Sequence, residues 1–145
     1  MVVDEKYTSE YSFFFDITGE AMRVHSKFKP GLLESAYEAA LKYLLELKGY
    51  KVERQVMVPI YWDNVLLDQS YRIDVLVNGN IIVELKVTNG TGSIHRSQLF
   101  NYMNITHLPF GMILNFGLQS LYYEWYHRNP QTGQITRIKK YNKEI

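Results

Sequence analysis

Cysteine is absent from the 145 residues. That excludes a disulfide framework, a thiolate metal site and a cysteine nucleophile, and favours a reducing compartment. A dominant charge sign is missing too: 16 Lys and Arg face 15 Asp and Glu, for a net charge of +1. Without a global basic field, a polyanionic partner has to be held by a local patch or a metal. Proline (4) and glycine (9) are too sparse to form a linker, and no repeat or low-complexity tract divides the chain, so a single domain over residues 1–145 is expected. No segment approaches the ~20 apolar residues that span a bilayer. The start, MVVDEKYTSEYSFFF, lacks the basic and then long apolar pattern of a secretory signal. A cytoplasmic protein with no membrane partner is the expectation.

Aromatic residues, by contrast, make up 14% of the chain, 12 of them Tyr. Such side chains fill cores more often than they stack on bases. Apolar residues at helical spacing, Ile17, Ala21, Val24 and Phe28, predict a first helix from about Ser12 to Phe28. A second helix follows from Pro30, with Leu33, Tyr37, Ala40, Leu41, Leu44 and Leu45 as its apolar stripe and Gly49 as its stop. KVERQVMVPIYW and VLLDQSYRIDVLV read as strands about an Asp63-Asn64 turn, and IIVELKV as another. HRSQLFNYMNITHL is helical in pattern, FGMILNFG a buried strand, and the tail a hairpin around Asn129–Gly133. The order predicts an α/β fold, a mixed sheet flanked by helices with a C-terminal β-hairpin.

YRIDVLVNGNIIVELKV sets three charges, Asp74, Glu84 and Lys86, in the most apolar part of the chain. A two-residue turn at Asn78-Gly79 would place Asp74 and Glu84 on opposite faces of the hairpin. A three-residue or bulged loop sets Val77 opposite Ile81 and Asp74 opposite Glu84. The binary pattern selects the second register, because one face then reads Ile73, Val75, Val77, Ile81, Val83, Leu85 and Val87. The charges converge on the other face. Two carboxylates ~5 Å apart repel by roughly 3 kcal/mol at an effective dielectric of 20, and Lys86 offsets only part of that. A divalent cation reverses the sign. Mg²⁺ or Mn²⁺ would take oxygen from Asp74, Glu84 and the Leu85 carbonyl, with Lys86 beside it to orient a water or balance phosphate charge. Glu-x-Lys alone also serves as a structural ion pair on many exposed strands.

The Asp…Glu-x-Lys hairpin resembles the core of the PD-(D/E)xK nuclease superfamily. Gly31, Glu34 and Tyr37 in GLLESAY also match the signature of the GxxExxY proteins, and the likeness extends from about Ile17 to Gly117. It departs at Lys29, where that family commonly has Gly before Pro-Gly, and in the tail after Leu118. The resemblance implies a restriction-endonuclease-like core and metal-dependent hydrolysis of nucleic acid, with DNA the expected substrate. It further implies that Glu34 is the helical acid beside the metal in RecB-type nucleases, and that Gln98 and Tyr102 are their Gln-x-x-x-Tyr helix. Without it, Glu34 reads as an acid at a helix start, and Gln98 and Tyr102, with His95 one turn earlier, as one helix face at a solvated edge. His25 reads as structural. Arg128, Arg137, Lys139, Lys140 and Lys143 make the tail either a rest for nucleic acid or a solvated edge. The edge of that hairpin leaves a homodimer open. Two rivals to the nuclease are a catalytically silent nucleic-acid-binding or regulatory module on the same scaffold, and a protein whose charged patch is an interface ion-pair network.

Overall fold

The computed structural model describes residues 5–138, with side chains from residue 11 onward. The elements run α1 (Glu5–Phe28), α2 (Glu34–Leu47), β1 (Val52–Trp62), β2 (Val65–Val77), β3 (Ile81–Lys86), α3 (Ser93–Thr106), β4 (Phe110–Asn115), β5 (Tyr122–Arg128) and β6 (Ile135–Ile138). The strands form one six-stranded sheet in chain order. Its neighbours are antiparallel except for β3 and β4, which α3 connects as the crossover that parallel pairing requires. The expected order of elements is borne out. Lys139, Lys140 and Lys143 lie outside the described residues.

Two cores sandwich the sheet. On one side Phe14, Ile17, Ala21 and Val24 of α1 and Tyr37, Leu41 and Leu45 of α2 cover Val75, Val77, Ile81, Val83, Leu85, Met112 and Trp125. On the other, Leu99, Tyr102 and Met103 of α3 cover Ile73, Ile82, Ile113 and Tyr126. β3 is therefore buried on both faces, as the apolar residues Ile81, Ile82, Val83 and Leu85 imply, and Glu84 is buried with them. α3 sits close against the sheet because Gly111 gives it room: a Cβ there would lie 2.6 Å from Met103 Sδ and 2.9 Å from Leu99 Cδ1.

Four local expectations are corrected. α1 begins earlier than Ser12, but Tyr11 breaks it with non-helical angles (φ −123°, ψ 24°), so the predicted start coincides with a kink. Phe28, at 41% exposure, lies outside the core. α2 begins at Glu34, not Pro30, because Gly31 at φ +122° turns the chain out of helical space. Leu33, its N-cap, is accordingly 78% exposed and no part of the buried stripe.

β1 and β2 outrun their neighbours. β3 pairs only with Val75–Val77, so the outer parts of β1 and β2 form a two-stranded arm on which Tyr61, Trp62, Val65 and Leu66 are all more than half exposed. No helix of the described residues is long and apolar enough to cross a membrane.

Candidate metal centre

The hairpin between β2 and β3 adopts the odd-numbered loop: Val77 faces Ile81, Leu76 faces Ile82 and Val75 faces Val83. Asn78 and Gly79 take left-handed angles, which Asn and Gly tolerate best. At Asp74 the ladder gives way to side chains. The Leu85 N–H donates to Asp74 Oδ2 (2.9 Å), and the Asp74 N–H lies 3.4 Å from Glu84 Oε2. The two strands thus fork, and each acid occupies the hydrogen-bonding position that the other strand's backbone has vacated.

β1 takes part in the fork. Gln55, which would pair with Asp74, sits at φ +54°, a region costly for a residue with a Cβ, and that rung is missing from the ladder. The twist also explains why Ile73 packs with the α3-side cluster while Val75 and Val77 pack on the other side. The uniform apolar face expected from Ile73 to Val87 is corrected in that respect: strict alternation fails where the backbone leaves strand geometry. Gln55 Nε2 in turn donates to both carboxylate oxygens of Glu38 (3.0 and 3.1 Å) and its side chain hydrogen-bonds Asp74.

α2 brings in its own acids. Tyr37 stacks on Phe116 (4.6 Å, 16°), donates its hydroxyl to the Lys29 carbonyl and accepts from the Leu32 N–H (3.2 Å). The loop before α2 is thereby closed by its own helix, one turn beyond Glu34. Carboxylate oxygens of Glu34, Glu38 and Asp74 lie within 4.8 Å of one another. Glu84 lies outside that trio, held against the Asp74 backbone. Glu38 is 2% exposed and, besides Gln55, accepts from Arg54 Nε at 3.3 Å.

Electrostatics single out the acids that lack such cationic partners. Burial raises the pKa of Glu34, Asp74 and Glu84, and mutual repulsion adds to it: Asp74 raises Glu34 and Glu84, and Glu38 raises Asp74. Lys86 opposes the shift in all three. Its ammonium nevertheless donates to Gln98 Oε1 (2.9 Å), and Gln98 Nε2 donates to the Tyr102 hydroxyl (3.1 Å), which also bonds the Arg72 backbone. Lys86 is held beside the carboxylates without closing a salt bridge to them. Tyr102 is 4% exposed and Gln98 is half-buried, so the two form a part-buried relay from sheet to helix rather than a solvated edge.

An ion pair anchors α3 from below. Arg96 Nη2 and Nε donate to Glu124 Oε2 and Oε1 at 2.6 and 2.8 Å, and the Tyr122 and Tyr126 hydroxyls complete the carboxylate's partners at 2.6 Å each. Glu124 is 1% exposed. Burial alone would raise its pKa, but the hydrogen bonds from Arg96, Tyr122 and Tyr126 outweigh that and bring it down to about 2.

The structure thus gathers Glu34, Asp74, Glu84, Leu85, Lys86, Gln98 and Tyr102 around the fork. Glu38 and Gln55 also belong to this group and were not foreseen. The one signal for Glu38 is its spacing, four residues after Glu34 on the same helix face, which a surface acid would share. His25 is structural, with Nε2 2.8 Å from the Leu118 carbonyl. Arg128 donates to Asn104 Oδ1 (3.0 Å). A cavity of about 740 Å³ between α1 and α2 is lined by Met22, Phe28, Tyr43 and Leu44, among others, and touches none of the acids of the fork.

Comparison with protein-family models matches residues 12–127 to the PD-(D/E)XK nuclease superfamily. No curated protein and no solved structure matches.

Proposed function

Because the chain belongs to the PD-(D/E)XK nuclease superfamily, whose restriction-endonuclease-like core it shares, we propose that it hydrolyses phosphodiester bonds in DNA with Mg²⁺ or Mn²⁺ as cofactor. One observation carries this reading. Two strands and one helix bring several acids and one lysine together at a fork where the sheet's own hydrogen bonding is interrupted, and a second helix supplies the glutamine that holds the lysine. The donor set fits a hard cation: it is all oxygen, it includes acids whose pKa is raised by burial first and by mutual repulsion second, and it contains no thiolate or imidazole. Asp74, Glu84 and the Leu85 carbonyl, assisted by Glu34, are the residues that would hold the ion. When bound, such an ion polarises a phosphate and lowers the pKa of an attacking water.

The remaining roles follow from what the side chains already hold. Lys86, fixed by Gln98, orients that water or balances phosphate charge. Gln98 and Tyr102 seat the strand, being tied to both Lys86 and the β2 backbone. Glu38, occupied by Gln55 and Arg54, positions Gln55 under Asp74. Gly31, Glu34 and Tyr37 supply turn, acid and loop closure, a physical sense for the GxxExxY pattern.

The test is a cleavage screen over single- and double-stranded DNA and RNA with Mg²⁺ and with Mn²⁺, run beside Lys86→Ala. Wild type is expected to cut DNA only with metal, and the variant to lose roughly 100-fold or more of that rate while keeping its fold. Nucleic-acid binding without cleavage in either metal would establish the silent-module alternative instead.

A further inference from the structure

A cavity of about 230 Å³ opens beside the Lys86–Gln98–Tyr102 relay, between the root of the β1–β2 arm and the outer face of α3. Its walls are aromatic and apolar on two sides. Tyr71, 44% exposed, stands 5.4 Å from the Tyr102 ring at 52°, and Ile94, 77% exposed, faces it from the first turn of α3. Ser97 and Asn101 add a hydroxyl and an amide to the lining.

Size decides what fits. Sites for drug-sized ligands run to ~300–1,000 Å³, so this cavity suits one planar ring, not a whole nucleotide. Position decides which ring. Gln98 and Tyr102 belong both to this wall and to the proposed catalytic group, so a strand whose phosphate reaches Lys86 has its neighbouring base at the cavity mouth. Tyr71 lies three residues from Asp74 on the same strand, so the stacking surface and the proposed ligand are rigidly linked. A base inside an intact duplex has both faces covered by its neighbours, whereas an unpaired base can turn into a pocket and stack on an aromatic ring.

We propose that Tyr71 and Ile94, with Tyr102 packed against Tyr71 as its support, form a subsite for one unpaired nucleobase next to the scissile phosphate, so that the enzyme acts on single-stranded or locally unpaired nucleic acid. This rests on the nuclease reading above. Ser97 and Asn101 can hydrogen-bond a base edge, but stacking dominates, and stacking tolerates every base.

The probe is a single-stranded DNA oligonucleotide carrying one 2-aminopurine, scanned position by position and bound with Ca²⁺ to the full chain. Stacking quenches its fluorescence. One position is expected to be strongly quenched, Tyr71→Ala is expected to abolish that quenching and weaken binding roughly tenfold, and Tyr71→Phe to retain both. In the cleavage assay with Mg²⁺, an abasic site at the same position should slow wild type by a similar factor and leave Tyr71→Ala unaffected. Cleavage that proceeds while no position is quenched, or while Tyr71→Ala and abasic substrates behave as wild type, overturns the subsite and leaves the nuclease reading standing. Absence of metal-dependent cleavage of every substrate overturns that reading and the subsite with it.

Discussion

Glu84→Gln is expected to move stability and activity in opposite directions. Metal-dependent cleavage should fall by roughly a thousandfold or more, because a carboxylate proposed to hold the ion is lost. The metal-free protein should become more stable. Glu84 is 1% exposed, and burial together with Asp74 drives its pKa well up, so ionising it costs folding free energy. Above that raised pKa, removing the charge is expected to add about 1 to 3 kcal/mol in urea unfolding. Saturating Mn²⁺, at about 100 times its dissociation constant, should stabilise wild type by about 2.7 kcal/mol and the variant hardly at all. An interface ion-pair network predicts the reverse: a less stable variant and no response to metal in either protein.

Arg96→Ala should produce the largest loss of stability, about 3–5 kcal/mol, by leaving Glu124 buried and without its cation. Replacing both partners by apolar residues, Arg96→Met with Glu124→Leu, is expected to recover only part of it: the desolvation cost of the charges vanishes, but the Tyr122 and Tyr126 hydroxyls lose their acceptor. The pH dependence has a definite sign. Glu124's folded pKa of about 2 lies below the ordinary value of 4.5, so its interactions contribute in full above about pH 4.5 and fade as pH falls toward 2. That contribution is about 3 kcal/mol. The stability gap between wild type and Glu124→Gln, followed by urea titration, should therefore be flat from pH 7 to 5 and narrow below. A gap that widens on acidification would contradict the pairing. Arg96 sits two residues before Gln98, so the single variant should also slow cleavage by loosening α3.

The sequence carried the hairpin register because period-two alternation leaves one arrangement in which the apolar residues share a side, and the observed pairs Val77–Ile81 and Val75–Val83 follow it. It carried the acids of the fork for the same reason: charges inside an apolar strand stand out. Glu38 did not stand out. It precedes Lys42 by four residues and so resembles a surface ion pair, but Lys42 bonds Glu46 instead and Glu38 turns inward to Gln55. Gln55 gave no signal at all, since left-handed backbone is anticipated at Gly, Asn or Asp, and here the fork imposes it on a residue with no such preference. The Arg96–Glu124 pair was equally hidden. YYEWYHR reads as a strand with a solvated face, and its partner lies 28 residues earlier on a helix, a contact that exists only once α3 crosses the sheet. Pro30 misled because Gly31 follows it, and a turn closed by Tyr37 overrode the usual helix-start preference.

Diffraction at the manganese absorption edge from crystals grown in millimolar Mn²⁺ addresses the cation site most directly. A single anomalous peak should lie at the β2–β3 fork, within bonding distance of Asp74, Glu84 and the Leu85 carbonyl and beside Glu34. A fork that stays empty in such crystals, with Asp74 still accepting from the Leu85 N–H, would contradict it.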